Sequence, residues 1–358
     1  MVFGKALQGC DRPAPAHGPG RLRRWVRAAR QAVVPTLLLA GLSLVIVPGA
    51  ARAEGAGCPP AAQMPDQATL QSLMRNARDR GVLWRLEKDG RTSWLYGTIH
   101  VAEQAWMVPG PLVMDALRSA DALALELNLL DPAVMEQLLS AMRAQPGAKP
   151  LPQPLQERLQ ALKERECVGT QIDALRPDAQ VVSLATLIAR REGLDPSYGI
   201  DLTLGGVATG MRKPVIGLES VQTQIRQMIS DDPKQVEETV RTGLVQLERE
   251  DVGATLSLLA HAWADGRMNL LESYPTWCRC LTDTAEKREY ERMVVGRNPG
   301  MARAIGREIA SGRNLFVAVG ALHMAGRDAL PKLLEQQGFQ VTRVEFPGND
   351  PSGMPEVR

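Results

Sequence analysis

Only three histidines follow residue 53 of this 358-residue chain, and two of them close the same motif: Gly97-Thr98-Ile99-His100 and Gly320-Ala321-Leu322-His323. Each motif follows an apolar run, precedes a helical pattern and leads to a second strand-like run holding a glutamate, Glu126 in one case and Glu345 in the other. One Gly-x-x-His is a weak signal, since a loop imidazole bonded to a carbonyl explains it as well. Two copies in equivalent contexts are a stronger one. A glycine at a strand exit permits a tight turn, a positive φ or the close approach of another backbone, so the histidine three residues on is aimed by a rigid scaffold. Two neutral imidazoles with one or two carboxylates make a mixed N/O donor set for a divalent ion such as Mn²⁺, Co²⁺ or Zn²⁺. Such an ion activates water and polarises a scissile carbonyl, and a carboxylate free of the metal can carry the proton.

The elements that must position these groups are legible from period and punctuation. Alternating apolar residues at 82–87 and 93–96 around Lys88-Asp89-Gly90 predict a β-hairpin. Further strands are expected at 122–127, 214–218, 314–319 and 340–346, with helices near 110–119, at 131–144, 154–165, 178–192, 201–211, 233–264, 281–295 and 299–312, and one after His323. Strands separated by helices predict an α/β fold with a mixed, largely parallel sheet. It is built from two related strand-GxxH-helix-strand halves, with a helical insertion in the middle of the chain, about 131–312. Ligands gather at the carboxyl ends of strands in such sheets, where both histidines would sit.

The residues Trp94-Leu95-Tyr96-Gly97-Thr98-Ile99-His100-Val101, Leu125-Glu126-Leu127, Gly199-Ile200-Asp201, Gly217-Leu218-Glu219-Ser220, Arg297-Asn298-Pro299-Gly300-Met301-Ala302 and Val319-Gly320-Ala321-Leu322-His323-Met324-Ala325-Gly326 together resemble the TraB/GumN family, which is related to the Tiki proteins. The resemblance runs from about residue 65 to 346. Ala102 stands where relatives often have a second glycine. The resemblance implies a fold similar to the erythromycin-esterase and ChaN-like group and a metal-dependent peptidase acting on a peptide or protein substrate. It implies His100, Glu126, Glu219 and His323 as metal ligands, whichever of Glu126 and Glu219 is not a ligand as the base, and Arg297 and Asn298 as further site residues. Arg297 would hold an oxyanion or a substrate carboxylate.

Plainer readings stand beside these. Glu126 could be paired with Arg297 in a structural salt bridge, Glu219 could cap the following helix, Asp201 more simply caps its own helix, and Arg297-Asn298 could order a helix start. His261 reads as structural or surface. The same cleft could also serve a non-catalytic protein binding haem, with His100 or His323 as axial ligand, or a polysaccharide fragment.

Composition sets the outer limits. The chain holds 42 basic and 40 acidic residues, but the first 53 positions carry eight basic residues and one acid, which leaves 34 against 39 in the rest. A mature chain near −5 has no electrostatic footing for nucleic acid. Arg21, Arg23, Arg24, Arg27 and Arg30, the apolar run 32–47 and Ala51-Arg52-Ala53 read as a signal peptide over 1–53. That predicts an exported protein, periplasmic or secreted; an uncleaved leader would instead anchor it in the inner membrane. Residues 54–346 are expected to form one α/β domain and 347–358 a flexible tail. Of five cysteines, Cys10 departs with the leader. Cys278 and Cys280 read as too close to bridge each other, so each is expected to reach Cys58 or Cys167.

Overall fold

The computed structural model describes residues 57–347, so the expected leader (1–53) and nearly all of the expected tail (347–358) lie outside the described residues. Six strands form one sheet: β1 (Val82–Lys88), β2 (Arg91–Thr98), β3 (Ala122–Leu125), β4 (Val215–Gly217), β5 (Leu315–Gly320) and β6 (Gln340–Val344), in the order β4-β3-β5-β2-β1-β6. β5 pairs in parallel with β2 and β3, and β3 with β4; β1 alone runs the other way, antiparallel to β2 and β6. The sheet is therefore mixed and mostly parallel, with helices around it, as the alternation of runs predicts. β3 is buried along its length and β5 at all but its last residue, which explains why they read as unbroken apolar runs. The β1–β2 hairpin turns on Asp89 and Gly90, both at positive φ, the geometry that Asp-Gly favours.

Apolar side chains form two main cores. One surrounds the sheet; the other joins Leu155, Leu159 and Leu162 with Leu184, Val240 and Leu244 from the helices Gln153–Arg165, Pro177–Leu187 and Pro233–Leu247. The helix expected over 233–264 is in fact two, Pro233–Leu247 and Val252–Ala264. The break falls in the charged run Glu248-Arg249-Glu250-Asp251, and the two pieces pack into different cores, Leu244 into the helical one and Trp263 into the one around the sheet. Among the described residues no helix is long and apolar enough to cross a membrane.

The disulfide expectation is overturned. Cys58 pairs with Cys167, and Cys278 with Cys280. The intervening Arg279 takes a φ of 51°, which folds the chain back and brings the two Cα atoms to 5.1 Å, inside the range a disulfide spans.

Candidate active site

Four neighbouring parallel strands end on one edge of the sheet, and the residues just beyond them are Glu219 after β4, Glu126 after β3, His323 after β5 and His100 after β2. Positions as far as 223 residues apart are thereby set side by side. The register pairs Gly97 with Val319 and Thr98 with Gly320, so the two Gly-x-x-His turns leave the sheet together. Neither glycine needs a positive φ; crowding excludes a side chain at Gly97 and leaves only a tight fit for one at Gly320. A Cβ on Gly97 would come 2.6 Å from Val82 Cγ2 and 3.2 Å from the Ala321 backbone, and one on Gly320 would stand 3.3 Å from Glu126 Oε1.

The carboxylates are held by one cation. Arg297, buried at the start of helix Asn298–Ala310, donates from its terminal nitrogen to Glu126 Oε2 at 2.5 Å and to Glu219, and from Nε to Glu219 at 3.1 and 3.2 Å. Its remaining terminal nitrogen donates to the Met293 carbonyl at 3.1 Å. All three nitrogens are thus engaged, and Arg297 serves first to hold the two carboxylates. Glu126 also accepts the Gly320 N–H at 2.8 Å, and Glu219 accepts from Gln224 at 3.1 Å. Burial alone would raise the Glu126 carboxyl, but attraction to His323, Arg297 and His100 carries it well below the usual carboxylate range. Burial likewise disfavours the Arg297 cation, yet Glu126 and Glu219 leave it more firmly protonated than an ordinary arginine.

The two imidazoles have different settings. His323 is buried, its side chain 5% exposed, and its Nδ1 lies 2.6 Å from Asn298 Oδ1. Because Asn298 Nδ2 donates to the Asp328 carbonyl at 2.8 Å, Oδ1 is its accepting end, which puts the His323 proton on Nδ1 and leaves Nε2 with its lone pair. Nε2 lies 3.7 Å from Glu126 Oε1. Burial pushes this imidazole down to about 4, so it is neutral near pH 7. His100 is 57% exposed, and its Nδ1 is 3.1 Å from Asp201 Oδ1. The Asp201 carboxylate pushes it up to about 9, a shift that solvent around the ring moderates.

All the residues expected at the site are brought together, and several of the plainer readings fall away. Asp201 serves His100, while Gly199 occupies the N-cap of helix Ile200–Gly210. Ser220, not Glu219, caps helix Val221–Met228. The Glu126–Arg297 pair exists, and it extends to Glu219. Glu345 is 81% exposed beyond the edge strand β6, so it has no part here. Gln224 and Asp328 carried no motif and were not anticipated. His261, half exposed, bonds to the Ser257 carbonyl in its own helix, as a surface histidine would.

Residues 82–343 match the model of the TraB/PrgY/gumN family. Two curated relatives are each called "Uncharacterized protein YbaP". The one from Shigella flexneri is 27% identical over 255 residues, covering 68% of this chain and 88% of the relative. The one from Escherichia coli K12 is 27% identical over 251 residues, covering 67% and 86%. No solved structure matches the chain.

Proposed function

The chain belongs to the TraB/PrgY/gumN family, and from that premise we propose that it is an exported, divalent-metal-dependent hydrolase of peptide or amide bonds. The observation that carries the reading is the convergence of three side chains beside Gly320: Glu126 Oε1, His100 Nε2 and the His323 ring carbon Cδ2 stand 3.3, 3.8 and 3.5 Å from the position its Cβ would take, and His323 Nε2 lies 3.7 Å from Glu126 Oε1. The donor chemistry fits a divalent ion. Each imidazole has Nδ1 tied to an oxygen, Asp201 or Asn298, with Nε2 turned toward the others, which is how metal-ligating histidines are oriented. With His323 neutral and His100 giving up its proton to ligate, Glu126, Glu219 and Asp201 outweigh Arg297 by two negative charges, which favours a cation. Among the described residues no three His, Cys, Asp or Glu side chains already stand grouped at ligating spacing. Binding would therefore draw the three donors closer.

In this reading His100, His323 and Glu126 hold Mn²⁺, Co²⁺ or Zn²⁺, and the ion supplies an acidified water and a polarised carbonyl. Asp201 and Asn298 orient the imidazoles. Arg297 holds the two carboxylates, and Glu219, outside the ligand set, would take a proton from the attacking water and return it to the leaving amine. The exposed His100 side of the site is the entry for a peptide.

The test is purified protein reconstituted separately with each ion, with metal content read by mass spectrometry and cleavage by a peptide library. Metal-dependent cleavage lost in His100→Ala and His323→Ala supports the proposal. A Soret band with no metal dependence would replace it with a haem-binding protein, and retention of a polysaccharide fragment without turnover would replace it with a carbohydrate binder.

A further inference from the structure

Cys278–Cys280 has no evident structural task. The Cys58–Cys167 bond joins positions 109 residues apart and so restricts the unfolded chain strongly. Cys278–Cys280 encloses only Arg279, and a ring that small restricts it little. It also keeps Arg279, whose side chain is 75% exposed, in the left-handed region that side chains beyond glycine rarely occupy. Cys167 shares that conformation, so the contrast between the bonds rests on their span.

The two sulfurs differ as well. Cys278 is buried and Cys280 is partly exposed. The Cys280 backbone N–H points at Cys278 Sγ from 3.1 Å, so charge developing on that sulfur meets a donor. The Tyr274 hydroxyl lies 3.2 Å from Cys280 Sγ, and burial pushes it up to about 12, so it keeps its proton. Arg249 bonds to the Arg279 carbonyl, which sets two guanidinium groups beside the ring with Asp251 as their shared counter-charge. Positive charge and N–H donors near a sulfur are what favour its thiolate.

We propose that Cys278–Cys280 is a thiol–disulfide exchange site that oxidises dithiols, with Cys280 as the sulfur attacked. One thiolate of the incoming dithiol attacks Cys280 Sγ. The S–S bond breaks, and its electron pair leaves on Cys278 Sγ, which takes a proton from solvent. The second thiol of the dithiol, having lost its proton to solvent, then attacks its own sulfur in the mixed disulfide and departs as a disulfide. Cys280 is released and protonated. The dithiol loses two electrons and two protons, and the cysteine pair gains them.

The full chain equilibrated in mixtures of reduced and oxidised dithiothreitol, quenched by alkylation and read by peptide mass spectrometry, tests this with Cys58–Cys167 as the internal reference. Cys278–Cys280 is expected to be half reduced at a ratio of reduced to oxidised reagent about 100-fold below that needed by Cys58–Cys167. In Cys278→Ser, Cys280 should capture oxidised glutathione about 10-fold faster than Cys278 does in Cys280→Ser. Reduction of both pairs at one ratio, thiols at 278 and 280 under fully oxidising mixtures, or equal or reversed capture rates would each overturn the proposal.

Discussion

The turns ending in His100 and His323 leave adjacent strands with the same four-residue pattern, yet their imidazoles end in opposite settings. His323 is buried, neutral and tied to an amide oxygen; His100 is exposed, charged and tied to a carboxylate. A repeated motif therefore fixes where a side chain starts, and the residue that meets Nδ1 decides its proton and its role. The buried turn belongs with Arg297 and the carboxylates, and the exposed one opens that group to solvent.

If that division is right, damage should be far greater on the buried side. Arg297→Ala would strand two nearly buried carboxylates and is expected to cost about 3–5 kcal/mol of unfolding free energy in urea denaturation. Arg297→Lys, which keeps the charge but lacks the planar fork, should cost less. A loss below ~1 kcal/mol for Arg297→Ala would mean that the carboxylates do not depend on it.

The two positioning residues offer a like-for-like comparison. Asn298→Ala leaves the buried His323 Nδ1 without its acceptor and should cost about 1–3 kcal/mol. Asp201→Ala acts on a ring open to water and should cost no more than ~1 kcal/mol. Equal losses in the same denaturation series would erase the distinction.

Their pH responses have opposite signs. His100 is raised in the folded state, so the stability it contributes is full below the unfolded value of about 6.5 and is lost as pH climbs through about 9. His323 is lowered, so its contribution is full above about 6.5 and is lost as pH falls toward about 4. Ring-proton NMR titration should place the two midpoints on opposite sides of pH 6.5, and Asp201→Asn should bring only the His100 midpoint down. Midpoints that coincide would contradict the assignment.

A small effect on stability is also expected at the shared corner. In Gly320→Ala a methyl group enters 3.3 Å from Glu126 Oε1 and 3.5 Å from His323 Cδ2. A stability change below about 1.5 kcal/mol is expected from so slight a crowding. Metal uptake should fall far more than stability; unchanged uptake would show that the ion does not lie there.

What the sequence disclosed follows the same physical line. The histidines were legible because a strand exit with a glycine is a local pattern, and Glu126 because a charge inside an apolar run needs a partner. Both glycines were identified correctly for close approach, although neither uses a positive φ. Asp201 was obscured because an acid in a first helical turn reads as a cap, and nothing local tells that its side chain crosses to a strand end 101 residues earlier. Glu345 does not share the placement of Glu126. Its strand repeats the local pattern of β3, but β6 pairs at the far edge beside β1. The split at 248–251 and the Cys278–Cys280 bond depended on which core each helix joins and on one positive φ, and neither has a periodic signature.

The central claim is that the exposed and buried imidazoles serve a single ion. Cobalt titration of the full chain, followed by absorption spectroscopy, tests it most directly. One Co²⁺ per chain is predicted, with nitrogen ligation lost in His100→Ala and in His323→Ala alike; undiminished binding in either variant, or no binding by a folded wild-type chain, would contradict it.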